Sequence, residues 1–179
     1  MGQARGHWNI KLIFGFLYRD EEIFDKAASA VIRRFGPFDY RSGIMAFNKT
    51  RYYEKEFGPE LKRRFVSSRK LTCAGDIHRI KLFTNKLEKR FMVSGKRLVN
   101  IDPGYVTLGK LVLLTTKDQS HRIYLKKGIY AESTLKYQGS SYVPWPTTYP
   151  DYSSEEYISV FNRIREIYSR QVRNARRNP

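Results

Sequence analysis

A single cysteine, Cys73, stands in the 179-residue chain. One thiol closes no internal disulfide and anchors no cysteine-rich metal site, and such sparing use fits a reducing interior. Histidine is scarce too, with residues at 7, 78 and 121 only. None belongs to the paired His-x-Thr/Ser triplets of a two-histidine phosphoesterase, and their scatter gives no zinc spacing. No metal or cofactor is expected. No apolar run approaches the roughly 20 residues of a transmembrane helix. The opening stretch MGQARGHWNIKLIFGFLYRD has too short an apolar segment and no small-residue cleavage site for a secretory signal. Gly6 stands where myristoylation needs Ser or Thr. The expectation is a cytoplasmic protein with no membrane partner. There is no G-x-x-x-x-G-K-[ST] loop, and Val93-Ser94-Gly95-Lys96-Arg97 lacks both the first glycine and the hydroxyl. The RNA-recognition signature K/R-G-F/Y-G/A-F-V-x-F/Y is missing as well.

Acid is scarce relative to base. Against 34 Lys+Arg there are 17 Asp+Glu, a formal net charge of +17. Such an excess raises the local concentration of anions and favours nucleic acid or another phosphate-rich partner.

Hydrophobic residues make up 41% of the chain and charged residues 28%, proportions of an ordered globular domain. Three helices are legible. In DEEIFDKAASAVIRRFGP, Asp20 is an N-cap, Glu21 and Glu22 suit the positive end of the dipole, and Gly36-Pro37 is a stop. Asp76 opens the second, DIHRIKLFTNKLEKRF, with Ile77, Ile80, Phe83, Leu87 and Phe91 inward. The third, SSEEYISVFNRIREIYSRQVRNARR, offers a capping box of Ser153 with Glu156. Strands are expected at 11–18 and 38–48, and then consecutively in LGKLVLLTT, HRIYL and GIYAESTLKY, with Lys117–Ser120 and Lys126–Gly128 as turns. Residues 129–137 alternate as a strand with one wet face. Residues 140–152, with three prolines, read as an extended surface loop. The sum is a single α+β domain over 1–179, a largely antiparallel sheet packed by about three helices, with an Arg-rich extension at about 170–179.

The candidate site residues come from three places. On the second helix Glu88 falls at the margin of the apolar stripe, bordered by Lys81 and Asn85. A carboxylate there costs several kcal/mol unless paired, so it calls for a cation from the sheet, Arg97 or Lys110. In VNIDPGYV, Asn100 and Asp102 precede Pro103-Gly104, which reads as a turn or bulge presenting backbone amides and short polar groups. Lys117, Asp118, His121 and Arg122 flank the following hairpin, where Arg and Lys are able to hold a phosphate or merely line a solvated end. Glu54 and Glu56 share a face on a strand and diverge on a helix. Finally Arg170, Arg173, Arg176 and Arg177 form a basic run able to lie along a phosphate backbone or to fray as a tail.

YYEKEFGPELKRRF, IKLFTNKLEKRF, VNIDPGYVTLGKLVLLTTKDQSHRIYLKKGIYAESTLKY and TTYPDYSSEEYI, taken together and in order, resemble the domain-of-unknown-function family 4416, a group of small bacterial and archaeal proteins. The resemblance runs from about Lys11 to Ile167. It implies a stand-alone domain and no particular activity.

Three functions stay open at this level. The first is a binder of RNA or another phosphate-bearing partner, with Lys and Arg supplying sequence-independent affinity and exposed Tyr or Trp145 stacking on bases. The second is a small enzyme acting on a nucleotide or phosphorylated metabolite, with Glu88, Asp102 and His121 catalytic. The third is a scaffold that docks a protein through loop 142–152.

Overall fold

The computed structural model describes residues 2–3, 6–48 and 53–177, without the side chains of Glu54, Lys55 and Arg176. Nine strands join into one antiparallel sheet whose main path is β11-β10-β8-β7-β1-β4-β2. These are β1 (Ile10–Tyr18), β2 (Phe38–Arg41), β4 (Lys62–Thr72), β7 (Val99–Val106), β8 (Lys110–Thr115), β10 (Ile129–Gln138) and β11 (Ser141–Pro144). Off that path, β3 (Met45–Ala46) pairs with β4 and β9 (Ile123–Lys126) with β10. Strands β5 (Met92–Val93) and β6 (Lys96–Arg97) make a separate two-stranded ribbon.

Three long helices cover the sheet: α1 (Glu21–Phe35), α3 (His78–Arg90) and α4 (Glu155–Arg177), with α2 (Glu54–Phe57) a single turn. Strand β1 lies between two helical layers, so every residue of it is buried. Its Leu12, Phe14, Phe16 and Tyr18 pack with Phe24, Ala28 and Val31 of α1 and with Ile80 and Leu87 of α3. Ile13 points the other way, into a cluster with Phe65, Tyr157, Phe161, Ile164 and Tyr168. Each large apolar side chain so buried contributes about 1.5–3 kcal/mol. The fold is therefore a single α+β domain with helices on both faces of an antiparallel sheet. No helix among the described residues is long and apolar enough to cross a membrane.

The start and stop of α1 are those expected: the Asp20 carboxylate accepts from the Glu22 amide at 2.8 Å, and Gly36 leaves the helix at φ +88°. Other expectations need correction. Asp76 ends a 3-10 turn rather than capping α3, whose cap position is Ile77 with no side-chain bond. Ser154, not Ser153, caps α4, its hydroxyl accepting from the Tyr157 amide at 3.4 Å. Asp102-Pro103-Gly104 is no turn but the middle of β7, paired with Gly15, Phe14 and Ile13. Lys117–Ser120 closes no hairpin either. Strand β10 inserts between β8 and β9, so that connection passes over it. Within β10 a register shift between Ser133 and Leu135 turns the side chains over: Ile129 and Ala131 face α1 and α3, whereas Leu135 faces α4. Residues 140–152 are partly structured, since Ser141–Pro144 form an edge strand and Tyr142, Asp151 and Tyr152 are buried.

Candidate functional site

Helix α4 crosses the end of the sheet, and its contacts trace the route. The Asn162 amide holds the Ser141 hydroxyl at 2.8 Å, at the turn between β10 and β11. One turn on, Arg165 donates to the Leu108 carbonyl (2.7 Å), between β7 and β8. Tyr168 then donates to the Asn9 carbonyl just before β1 (2.7 Å), and Gln171 to the Arg69 carbonyl near the end of β4 (2.8 Å). The fully buried Lys11 locks the last of these. Its ammonium donates to Asp39 (2.6 Å), to the Ser68 carbonyl (3.1 Å) and to the Gln171 side-chain oxygen (2.9 Å). The C-terminus of α1 joins the same end, through the Arg69 amide on the Pro37 carbonyl (2.8 Å) and the Ser68 hydroxyl on the Phe35 carbonyl (2.7 Å).

This end of the molecule gathers exposed cations from four separate stretches: Arg33 and Arg34, Arg69 and Lys70, Lys110, and Arg170, Arg173 and Arg177. Arg176 was expected among them, and its side chain lies outside the described residues. The helix continues through Arg177, with Val172 buried against the core. The nearest acids are already matched: Asp39 with Lys11, Glu166 with Arg163 at 2.7 Å, and Asp76 with Arg79 at 3.5 Å. Sequence reading reached Lys110 and the arginines of α4. It missed Arg33, Arg34, Arg69 and Lys70, whose only signal was two adjacent basic pairs at the ends of elements.

The opposite end of the sheet holds four carboxylates, Glu56, Glu88, Asp102 and Asp151, in one network with Arg97 and Arg63. Arg97 grips Glu56 through Nε (2.7 Å) and Nη2 (2.8 Å), and donates from Nη1 to Glu88 (2.7 Å) and Asn100 (3.0 Å). Asn100 passes the chain to Asp102 (2.9 Å), which accepts from Arg63 Nη1 (2.9 Å). Arg63 in turn lies 3.9 Å from Asp151. Strand β8 pairs with β7 only from Gly104 onward, which leaves the outer edge of β7 unladdered at Ile101. Two side chains of α3 fill the gap: Lys81 donates to the Ile101 carbonyl (3.1 Å) and Glu88 accepts from its amide (3.0 Å). The cation expected for Glu88 is thus Arg97, with Lys81 behind it at 4.0 Å, and not Lys110.

Protonation follows from these partners. The hydrogen bonds from Arg97 hold Glu56 below the usual carboxylate range. Burial pushes Asp102 up, yet Arg63 and Lys81 outweigh it and its carboxyl sits low. Burial wins at Glu88, raised despite Lys81 and Arg97, and at Asp151, raised despite Arg63.

Of the proposed catalytic residues, Glu88 and Asp102 share this network. His121 belongs to another group, with its Nε2 at 3.3 Å from Glu132. Arg122 is held there by Glu132 (2.7 Å), the Lys117 carbonyl (3.0 Å) and the Tyr149 hydroxyl (3.1 Å). Lys117 and Asp118 are exposed beside it, and Asn85 is half-buried on α3. Glu56 lies on the short helix α2, so it does not share a strand face with Glu54. Trp145 is covered on one side by the Lys136 ammonium, 4.6 Å from its ring. Two surface grooves, of about 520 Å³ between β11 and α4 and about 500 Å³ between α1 and α3, are lined by neither Glu88 nor Asp102. Among the described residues no group of three His, Cys, Asp or Glu is placed to hold a metal ion.

Neither a curated protein nor a solved structure matches the chain. A family pattern does, over residues 9–168, which leaves Arg170, Arg173 and Arg177 beyond its end. The chain belongs to the family described as Domain of unknown function (DUF4416).

Proposed function

We propose that this domain binds RNA or another nucleic acid through the phosphate backbone, using the basic end that α4 crosses. The observation that carries the reading is a cluster of exposed cations drawn from four stretches of the chain. Exposed Arg33, Arg34, Arg69, Lys70, Lys110, Arg170, Arg173 and Arg177 stand at one end with the neighbouring acids paired off. At the far end Asp102, Glu56, Glu88 and Glu132 are held by Arg63, Arg97 and Arg122. Unneutralised cations spread over a face suit a polyanion, whose condensed counterions they displace. A small substrate asks instead for a concavity with converging polar groups, and the carboxylates proposed for catalysis are saturated by arginine.

The test is anisotropy titration of a labelled 20-nucleotide RNA against the full chain, alongside a variant carrying R69E, K70E and R173E. A second variant with K126E and K127E, on a distant turn, is the control. Affinity should fall at least tenfold in the first variant and little in the second. Equal weakening in both would reduce +17 to a diffuse attraction and overturn the reading. A tightly retained small nucleotide in protein purified at low salt would favour the enzyme instead.

A further inference from the structure

Trp8 stands 55% exposed, a large ring on the surface in company with Tyr124, Trp145 and Tyr149, all of which belong to other parts of the chain. Its position is fixed from the C-terminal side. The next residue, Asn9, accepts from Tyr168 of α4 at 2.7 Å, and Ile10 begins the fully buried strand β1, paired with Thr72. Trp8 therefore projects from the same end of the sheet as the cations. Along α4 it lies between Arg165, which reaches Leu108, and Gln171, which reaches the Arg69 carbonyl.

Resting on the nucleic-acid reading above, we infer that the preferred ligand is single-stranded and that Trp8 is its stacking platform. Bases of a duplex are already stacked on each other and offer a protein only their edges. A single strand presents open faces, and proteins that bind one combine a basic track along the backbone with aromatic rings under the bases. The basic end has both parts. Arg69, Lys70, Arg170 and Arg173 supply the track, and Trp8, within a strand's reach of them, supplies the face. Stacking of this sort is tolerant of base identity, because every base has a π-face.

The experiment uses the full chain carrying Trp145→Phe, so that Trp8 is the sole tryptophan. Its fluorescence is titrated with oligo(dT) and with a blunt duplex of equal length at low salt. The expected result is strong quenching by the single strand, weak quenching by the duplex, and about 5- to 150-fold weaker single-strand binding for Trp8→Ala. Trp8→Phe should recover much of that loss, whereas a residue acting only through charge would gain nothing from a second ring. Single-strand binding that leaves Trp8 fluorescence unmoved, or Trp8→Ala with unchanged affinity, would overturn the stacking role while leaving the basic track standing. Equal affinity for the duplex would overturn the preference for single strands. If neither oligonucleotide binds at low salt, both proposals fall together.

Discussion

Arg63 reaches Asp102 across the central strand of the sheet, passing over Gly15. Arg63 lies on β4 and Asp102 on β7, with β1 between them, yet the guanidinium and carboxylate meet at 2.9 Å. Gly15 makes this possible. It is the cross-strand partner of both Asp102 and Phe65, and a Cβ there would stand 3.1 Å from Arg63 Nη1 and 2.8 Å from the Phe65 ring.

Replacing Gly15 with alanine should therefore destabilise the fold by about 1–3 kcal/mol, the usual cost of overpacking a dense core. Strand propensity on its own favours alanine at that site, so the sign is diagnostic. Gly6→Ala, where an added Cβ meets nothing within 4 Å, is the control. Urea midpoints of the two variants measure the difference.

Asp102→Asn leaves the buried Arg63 short of its charge partner. Breaking a fully buried pair costs about 3–5 kcal/mol. With the Asp102 side chain 26% exposed, about 2–3 kcal/mol is expected at pH 7. The penalty should depend on pH in one direction. The carboxyl of Asp102 is lower in the folded protein than in the unfolded chain, so its stabilisation is complete above about pH 4 and disappears as pH falls through the folded value. Below that point wild type and variant should converge. Glu88 works in the opposite sense, its raised value contributing stability at low pH that is lost as pH rises. A gap between wild type and Asp102→Asn that widened in acid would contradict the assignment.

Gly104→Ala separates a strand from a turn. In a surface turn an alanine is cheap, but in β7 its Cβ would lie 2.3 Å from the Val112 carbonyl oxygen and 2.9 Å from the Leu113 side chain. The neighbouring backbone has to move, and the loss should match or exceed that of Gly15→Ala by the same urea titration.

Lys11→Met tests the lock on α4. The substitution leaves Asp39 without its cation and cuts the bond to Gln171. A loss of about 3–5 kcal/mol is expected, and Lys11→Met combined with Asp39→Asn should recover part of it. Amide exchange should speed up in the last two turns of α4. RNA affinity should fall as well, although Lys11 is buried and touches no ligand, because Arg170 and Arg173 depend on that helix end.

What was legible in the sequence followed local rules. Asp20 and Gly36 framed α1 because a cap and a left-handed stop act within one turn of chain. Glu88 announced its need for a cation because helical spacing alone put it at the edge of a buried stripe, and Arg97 met that need. The failures are non-local. Asp-Pro-Gly has the composition of a turn, and only the sheet explains it: Gly104 lies under the Val112 carbonyl, and Pro103 falls two residues from Ile101, on the edge that β8 has left. The alternation of β10 was misread as one continuous face because a bulge at Ser133 reverses it. The assembly of the basic end is not legible for the same reason. Arg33, Arg69, Lys110 and Arg173 are far apart in the chain, and only the route of α4 across the strand ends brings them together.

The slope of log Kd against log salt concentration for a single-stranded 20-mer, in wild type and in a variant carrying R69E and K70E, tests the central claim most directly. Each phosphate contact on a single strand contributes about −0.7 to that slope. Wild type should lose orders of magnitude in affinity between about 50 and 200 mM salt. Removing two cations should flatten the line by about 1.4. A salt-insensitive complex, or a slope unchanged by the two reversals, would contradict a backbone-reading interface at the end of the sheet that α4 crosses.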